Sequence, residues 1–454
     1  MEPNSKNDNN FINIVAILMV IIFGITLIKN IVQQEVTINS PVPSTTTTII
    51  TVTTSIPETT TTTKISTTNT KGTQLITPDT TQTILTQKNT TTTLLPSSIL
   101  IPAKSFALAI SSKYNHTCVL LDGNNVKCWG NNEEGQLGNG EKSDHPVHSA
   151  VSVIGLSDVV DITTGGWGTC ALIQDGTIRC WGVVYPEGKM VDYYTHPVNL
   201  FSLQNVVSIS QGYLHTCVLF KDGTVRCWGD NQYGQLGDGT NDNKTEPVEV
   251  KDLFEAKEIA AGYDHTCALL KDGTVKCWGD NTFGALGNGT TTSSNIPVLV
   301  SNLSNVKSIS AGNGYNCVLL NNGTVKCWGR NYGGQLGDGT TNDKLTPVLV
   351  KGLENDEVIK ITTGGFRTCA LLKNKTVKCW GEGYTEKGIT VDFAYKATLI
   401  PDLTNVEDVA TGHQHTCVLL ANKTVKCWGL NNNAQIGDGT FDYYVPLPRS
   451  VVGL

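Results

Sequence analysis

Along most of the chain, short apolar runs alternate with polar turns. The stretch HTCALLKDGTVKCWG, residues 265–279, shows the pattern, with one run at Cys267–Leu270 and a second, rich in β-forming residues, at Thr274–Trp278. A three-residue loop that ends in Gly273 separates the two runs. A short loop with glycine at the position that needs a positive φ is typical of a β-hairpin. The pattern therefore predicts two paired strands around this turn.

The hairpin register places Cys267 opposite Cys277. Directly opposed residues in a sheet have Cβ atoms roughly 4.5–5.5 Å apart, and strand twist closes the small remaining gap to disulfide geometry. Nine residues separate the partners of every such pair, and Trp-Gly always follows the second cysteine. The predicted disulfides join Cys118 with Cys128, Cys170 with Cys180, Cys217 with Cys227, Cys267 with Cys277, Cys317 with Cys327, Cys369 with Cys379 and Cys417 with Cys427.

Two alternatives to disulfides stay open, namely buried free thiols in a reducing compartment and a metal site. Zinc usually takes four ligands from close-set Cys or His residues, whereas this chain has no C-x2-C and one hairpin offers only two sulfurs. Disulfides are the favoured interpretation, and they place the domain in an oxidising compartment outside the cytosol.

The cysteine pairs mark a repeat. The first cysteines are spaced 52, 47, 50, 50, 52 and 48 residues apart, and each unit holds about four short strand patterns. Periods of this size are typical of β-propellers. Both faces of the fourth hairpin are largely apolar, as sheets packed between neighbours require. One face carries Cys267, Leu269, Val275 and Cys277, and the other carries Ala268, Leu270 and Trp278. We predict an all-β fold, a seven-bladed β-propeller over residues 105–454.

The unit IAAGYDHTCALLKDGTVKCWGDNTFGALGNGT closely resembles repeats of the regulator of chromosome condensation family. The elements AG-x-x-HTC, DGTV and G-Q-L-G-D-G-T recur in most units, and the resemblance covers about 350 residues. It implies a seven-bladed propeller, and the Cys-Trp-Gly variant resembles the extracytoplasmic, prokaryotic-type branch. The family's best known activities are nucleotide exchange on a small GTPase and chromatin binding, while other members simply bind proteins, including an inhibitor of β-lactamase. Fold alone therefore does not assign a function.

A short N-terminal tail, residues 1–10, precedes the apolar run FINIVAILMVIIFGITLI. Eighteen helical residues span about 27 Å, close to the hydrocarbon core of a bilayer, and snorkelling of Lys29 extends the span to Val32. We predict a single-pass transmembrane anchor at residues 11–32. A cleavable signal peptide is the alternative, although no small-x-small cleavage site follows soon after. The flanking charges orient the helix only weakly, so the cysteines place the propeller outside.

Between anchor and propeller, 25 of the 58 residues from Pro41 to Ser98 are threonine. Such a segment has few residues able to build a core, which predicts a disordered stalk over residues 33–104. Its composition resembles an O-glycosylated stalk, and an unmodified tether is the alternative. Three N-x-[ST] sequons lie in predicted hairpin turns and are candidates for N-glycosylation, namely Asn322, Asn374 and Asn422.

Composition argues against several classes of function. The net charge of −7 and the lack of a basic block disfavour a nucleic-acid partner. The chain has no P-loop, G-x-S-x-G or H-E-x-x-H motif, and the recurring Gly-rich loop is interpreted as a blade turn. Asp238 and Asp242 miss the spacing of a usual calcium loop. We predict no cofactor, no metal and no catalytic residue, and hence no enzyme.

Four histidines precede Thr-Cys, and we expect each to bond to backbone where its strand begins, with a channel lining as the alternative. They are His116, His215, His265 and His415.

Units two and six depart from the repeat in the same way. They replace the Gly-rich loop with VVYPEGKMVDYYTHP and EGYTEKGITVDFAYKA, and the histidine with Gly168 and Arg367. Exposed aromatic and acidic residues suit a protein or glycan contact, and a variant loop without a ligand is the alternative. The candidate binding residues are Trp167, Tyr185, Glu187, Asp192, Tyr193, Phe366, Tyr384, Glu386, Asp392 and Phe393.

We therefore expect a single-pass cell-membrane protein whose extracellular propeller binds an unknown protein or glycan. A structural cell-envelope protein without a discrete ligand is the alternative. Guanine-nucleotide exchange is less favoured, because a disulfide-linked domain outside the membrane does not meet a cytosolic GTPase. Units two and six should face one another across the propeller axis, so a single partner must span the face.

Overall fold

The computed structural model describes residues 107–121, 125–184, 192–384 and 391–454, together with the strand backbone of five segments nearer the N-terminus. The chain divides into two compact units, Met1–Lys104 and Ser105–Leu454. In the first unit the five segments pair in sequence order as an antiparallel sheet. They are Val36–Thr37, Thr48–Ile56, Thr59–Thr70, Thr73–Pro78 and Ile99–Leu100.

The predicted anchor lies outside the described residues, and among those that are described no helix is long and apolar enough to cross a membrane. The five strand segments fall within the predicted stalk, where composition favoured coil. Side chains are not described there, and both the stalk and the anchor stay predictions.

The second unit consists of seven four-stranded antiparallel sheets, each with its strands in sequence order. The first strands of neighbouring sheets contact one another in a closed ring, which runs from the first sheet to the seventh and back. The sheets are therefore the blades of a propeller with their first strands around the axis. The predicted seven-bladed fold is confirmed.

The four strands of each blade have these bounds. The first strands are Ala107–Ser112, Val159–Thr164, Val206–Gln211, Ala256–Ala261, Val306–Ala311, Val358–Thr363 and Val406–Thr411. The second strands are His116–Leu121, Gly168–Ile173, His215–Phe220, His265–Leu270, Tyr315–Leu320, Arg367–Leu372 and His415–Leu420. The third strands are Asn125–Asn132, Ile178–Val184, Val225–Gly229, Val275–Gly279, Val325–Gly329, Val377–Tyr384 and Val425–Leu430. The fourth strands are Ser143–Ser152, Asp192–Val198, Lys244–Glu249, Ser294–Leu299, Lys344–Leu349, Val391–Leu399 and Tyr444–Ser450.

The hairpin register is the predicted one. In blade four, Cys267 pairs with Cys277, and the turn glycine Gly273 has a φ of +81°. The corresponding cysteines are directly opposed in every other blade as well. Each predicted hairpin is thus formed by the second and third strands of its blade.

All seven predicted disulfides are present, each within one blade and with Cα atoms 4.0 to 4.1 Å apart. No cysteine is free, so the thiol and metal alternatives do not apply. In blade order, the bonds join Cys118 to Cys128, Cys170 to Cys180, Cys217 to Cys227, Cys267 to Cys277, Cys317 to Cys327, Cys369 to Cys379 and Cys417 to Cys427.

Both faces of each blade are buried against neighbouring blades, as the alternation of residues predicted. The disulfide of Cys267 and Cys277 packs with Leu269 and with Trp328 of blade five in one cluster. On the opposite face, Trp278 packs against blade three. Seven clusters of this kind fill the seven junctions between blades.

A polar interaction, which we call the loop–tryptophan contact, recurs beside these clusters. The backbone carbonyl of Gln235, in the Gly-rich loop of blade three, accepts hydrogen bonds from Trp278 Nε1 and Thr266 Oγ1 of blade four, each at 2.9 Å. Gly237 lies directly against the indole, and a Cβ there would come within 2.7 Å of Trp278 Nε1. Four other junctions share the arrangement. The carbonyl of Gln435 accepts from Trp129 and Thr117, that of Gln136 from Trp181 and Thr169, that of Ala285 from Trp328 and Asn316, and that of Gln335 from Trp380 and Thr368.

The recurring histidines reinforce this contact. His215 Nε2 lies 2.8 Å from Thr266 Oγ1. Because that hydroxyl donates its proton to the Gln235 carbonyl, the histidine donates from Nε2–H, and burial keeps the ring neutral by lowering its pKa to about 3. The expectation of a bond to backbone was wrong, since each ring reaches a side chain of the next blade. The same bond joins His116 to Thr169, His265 to Asn316 and His415 to Thr117.

The disulfides generate the first testable prediction. Each closes a loop of about ten residues, and the chain-entropy model gives nearly 3 kcal/mol as an upper figure per bridge. Replacing Cys267 and Cys277 together with serine should therefore lower the free energy of unfolding by up to that amount in urea titrations. Non-reducing peptide mapping of the parent should recover the seven pairs. Bridges between different blades, or fourteen alkylatable thiols in native protein, would contradict the assignment.

The second testable prediction concerns the buried histidines. Burial lowers the pKa of His116, His215 and His415 to about 3, and that of His265 to about 4. Between these values and the ordinary pKa of about 6.5, the unfolded chain binds more protons than the folded chain. The stability that these four histidines contribute should therefore be complete above pH 6.5 and decrease as the pH falls toward 4.

Urea unfolding at a series of pH values measures this loss. The variant His215→Gln removes one titrating group and should flatten the acid slope, whereas the exposed control His196→Gln should leave it unchanged. An unchanged slope in the His215 variant would contradict the account.

Candidate functional site

The two faces of the propeller carry different features. Because neighbouring strands are antiparallel, the turns from first to second strand and the connections from third to fourth strand lie at the same end of every blade. We call this end the loop face and the opposite end the hairpin face. The described chain enters the propeller at Ala107, on the hairpin face. The strand alternation thus separates the point of attachment from the variant segments of units two and six.

The three candidate glycosylation sites are exposed turn residues on the hairpin face. The side-chain oxygen of Asn374 accepts hydrogen bonds from the backbone and hydroxyl of Thr376, as Asp272 does from Thr274 in blade four. Asn322 and Asn422 hold their turns in the same way. The N-x-T motif therefore has a structural function at these turns, and glycosylation stays a prediction.

The variant segments of blades two and six form extended hairpins. In blade two the third and fourth strands pair as far as Val184 and Asp192. In blade six they pair as far as Tyr384 and Val391. The third strands of blades three to five end earlier, at the glycine after the tryptophan. We call residues 182–184 with 192–194, and residues 381–384 with 391–394, the variant hairpins.

Rings from the turns between first and second strands meet around the axis. Tyr213 and Tyr263 stack with their centroids 5.7 Å apart, and Tyr114 meets Tyr213 edge-on at 5.3 Å. His413 lies 5.1 Å from Tyr114. At the two ends, Trp167 of blade two lies 6.2 Å from Tyr213, and Phe366 of blade six lies 5.1 Å from His413. We call these six residues the axial aromatic cluster.

Sequence reasoning identified two members of this cluster, Trp167 and Phe366, and missed the other four. The missed signal was positional, since Tyr213, Tyr263 and His413 all follow the glycine of AG-x-x-HTC. In blade two, Gly166 takes that position because the neighbouring ring occupies the space. A Cβ on Gly166 would lie 2.5 Å from Tyr213 Cδ2. The ring of blade two is therefore displaced by one residue, to Trp167.

Lys113 occupies the position at which the other six units have glycine. Its Nζ reaches across the axis and donates to the carbonyl oxygens of Ala261, at 2.5 Å, and Ala311, at 2.9 Å. Burial lowers the pKa of Lys113 to about 8. The lysine thus links blade one to the first strands of blades four and five.

The loop–tryptophan contact is missing at two of the seven junctions in the described part of the chain. Blades two and six lack the Gly-rich loop, and no described carbonyl accepts from the indoles of Trp228 or Trp428. The buried Thr416 hydroxyl has no hydrogen-bond partner among the described residues. Gly168 and Arg367 replace the histidines at the same two junctions. Blade five also lacks the histidine, since Tyr315 stands at that position, but it keeps the loop and its contact with Trp380. Loop and histidine are lost together only in blades two and six.

At the junction of blades two and three, the missing loop leaves a small pocket of about 20 Å³, with Trp167, Thr216 and Trp228 in its wall. A volume of this size holds about one water molecule. The pocket does not admit a larger ligand, so a contact surface at blade two would lie above it on the loop face.

The other predicted binding residues divide into three groups. Tyr185, Glu187 and Glu386 lie outside the described residues, while Tyr384, Asp392 and Phe393 are described as strand backbone only. Tyr193 is 47% exposed, and Lys142 Nζ lies 3.9 Å from its ring centroid. The carboxylate of Asp192 accepts the backbone N–H of Tyr193. Their role in binding stays a prediction.

The acidic residues of the Gly-rich loops serve structural purposes. Asp238 accepts from the backbone and hydroxyl of Thr240, and Lys244 Nζ lies 3.4 Å from its carboxylate. Among the residues with described side chains, no group of three or more His, Cys, Asp or Glu is arranged to hold a metal ion. These loops are blade connections, as the repeat indicated.

Comparison with known proteins places the chain in a family. A family model described as the RCC1-like domain matches residues 68–390, and one for the regulator of chromosome condensation (RCC1) repeat matches residues 406–435. The ultraviolet-B receptor UVR8 of Arabidopsis thaliana is 37% identical over 76 residues, which are 16% of this chain and 17% of that receptor.

Solved structures agree on the fold. Human WBSCR16 superimposes with a TM-score of 0.65 at 20% identity, over 71% of this chain and 94% of the other. Prp20p of Saccharomyces cerevisiae superimposes with a TM-score of 0.65 at 19% identity, over 76% of this chain and 87% of the other. Since the RCC1-like domain model covers more than half of the sequence and the seven blades have the same architecture, this protein belongs to the RCC1-like family of β-propellers.

Proposed function

We propose that this RCC1-like propeller, a protein-interaction module by fold, is anchored in a cell membrane and binds an extracellular protein or glycan on its loop face. The observation that carries the proposal is the axial aromatic cluster. It joins blade two to blade six across the axis, and these are the two blades with variant hairpins.

The cluster provides a continuous path of ring contacts from Trp167 through Tyr213, Tyr114 and His413 to Phe366. Trp167 is 38% exposed. Aromatic side chains supply much of the binding energy at protein interfaces, and loops on a rigid scaffold can vary without disturbing the core. A partner that spans the axis would meet both variant hairpins and the rings between them.

The direction of the chain supports an outward-facing site. The segment that leads to the predicted anchor joins the propeller at Ala107, on the hairpin face. The hairpin face is opposite the loop face, which carries the axial aromatic cluster. Seven disulfides favour an oxidising compartment, and the net charge of −7 gives no electrostatic attraction to nucleic acid.

Nucleotide exchange or chromatin binding is the less favoured alternative. Prp20p is described by its binding to Gsp1p and histones, but at 19% identity the likeness concerns the fold. A disulfide in every blade is uncommon in cytosolic or nuclear proteins. A structural protein without a ligand is the second alternative, and the binding experiment below distinguishes it.

The binding experiment uses the full chain in detergent. A glycan array and cross-linking on intact cells identify a partner, and its affinity is then compared among variants. The double variant Trp167→Ala with Phe366→Ala should bind about 2 kcal/mol more weakly if these rings are interface anchors. The control is Phe254→Ala, because Phe254 is 69% exposed in the connection between blades three and four on the hairpin face. Equal affinity of the double variant and the parent would rule out this surface, and the lack of any partner would favour a structural role.

The membrane topology is tested separately. Residues 11–32 should remain in the mature protein, with the stalk and propeller outside. Protease added to intact cells should cut the stalk and release a soluble propeller of nearly full size. A mature N-terminus beyond Val32 would turn the anchor into a signal peptide, and a stalk protected from external protease would reverse the orientation.

A further inference from the structure

A second feature of the loop face is a pocket of about 240 Å³ where blades three, four and five meet. It lies in the half of the propeller away from the variant hairpins. Pockets for drug-sized ligands usually measure roughly 300–1,000 Å³, so this one suits a single side chain. The residues that decide its chemistry are Tyr233, Tyr263, Asp264, Asp280, Phe283 and Arg330.

The pocket is acidic on one side. Burial, with the nearby carboxylates of Asp280 and Asp230, raises the pKa of Asp264 to about 6. Within the described residues no cation forms an ion pair with Asp264 or Asp280. Asp280 is already oriented, because Thr282 donates to it from its backbone N–H and its hydroxyl. A cation entering the pocket would relieve the repulsion among these carboxylates.

Two buried polar atoms in the wall have no hydrogen-bond partner among the described residues. Tyr263 is only 8% exposed, and its hydroxyl makes no hydrogen bond. Arg330 Nε is likewise buried and unpaired. The guanidinium of Arg330 stacks on Phe283 and Tyr332, with its Cζ 4.5 Å from each ring centroid. Buried polar groups are nearly always satisfied in native proteins, so both atoms indicate a ligand that brings polar groups to the pocket.

We propose that this pocket binds a lysine or arginine side chain of a partner protein. The cationic end lies between Asp264 and Asp280 and donates to the Tyr263 hydroxyl, while the aliphatic stem packs on Tyr233 and Phe283. Arg330 Nε–H donates to a backbone carbonyl of the same partner segment. Each unpaired group thereby gains a complement.

A basic side chain fits better than a sugar unit. Hydroxyl groups would satisfy the hydrogen bonds, but a neutral ligand would leave Asp264 and Asp280 without an ion-pair partner. Cations are also attracted to the faces of aromatic rings. The inference extends the proposed function, because it assigns partner chemistry to the same loop face. Its test does not need that partner, so failure of one can be distinguished from failure of the other.

The experiment titrates the full chain with N-acetyl-lysine N-methylamide and, separately, with the uncharged N-acetyl-norleucine N-methylamide, followed by NMR. The lysine probe should bind about ten-fold more tightly, as a charge-assisted contact predicts. Asp264→Asn and Asp280→Asn should each remove this preference. The control is Asp222→Asn, a hairpin-face turn position at which blades five to seven carry asparagine, and it should bind like the parent.

The pH dependence provides a second readout. The charged and titratable groups around Asp264 are Asp230, Asp280, Tyr213, Tyr233, Tyr263, His265 and Arg330. His265 stays neutral because burial lowers its pKa to about 4. Affinity for the lysine probe should therefore fall as the pH decreases through about 6, and Asp264→Asn should remove that dependence.

Three results would overturn the proposal. The first is equal affinity for the lysine and norleucine probes. The second is the absence of any change in NMR chemical shifts when the lysine probe is added up to its solubility limit. The third is saturable binding of a methyl glycoside in place of lysine. The last result would reassign the pocket to a glycan.

Discussion

One backbone carbonyl in each Gly-rich loop joins a blade to the next. It accepts from the tryptophan indole and from the Thr or Asn side chain of the neighbouring blade, as Gln235 does from Trp278 and Thr266. Each such bond contributes about 0.5–1.5 kcal/mol net, but leaving its buried donor unpaired costs more. The repeated loop, the tryptophan after the second cysteine and the histidine before Thr-Cys are therefore parts of one device.

In the described part of the chain, the two junctions without this contact are those that follow blades two and six. Once the third-to-fourth connection no longer docks on the next blade, it is free to lengthen into a hairpin at the loop face. The disulfide and the apolar cluster remain at these junctions, so the ring stays closed. Departures from a repeat of this kind are where function is expected.

Local periodicity was sufficient to predict the strands, the pairing of Cys267 with Cys277 and the two buried faces, because each depends on one hairpin. Contacts between blades could not be derived in the same way. The bond from His215 to Thr266 and the reach of Lys113 across the axis depend on how the ring closes. The coincident loss of loop and histidine in units two and six was visible in the sequence, but its meaning required the junction geometry. The ends of both variant hairpins, with Tyr185, Glu187 and Glu386, remain predictions.

Within the described residues, five junctions have the loop–tryptophan contact and two do not. Hydrogen exchange of the eight indole N–H groups, followed by NMR, measures this difference directly, because a hydrogen-bonded and buried N–H exchanges only when the structure opens. The indoles of Trp129, Trp181, Trp278, Trp328 and Trp380 should exchange slowly, and those of Trp228 and Trp428 distinctly faster. Equal protection of all seven blade tryptophans, or slower exchange at Trp228 and Trp428, would contradict the account.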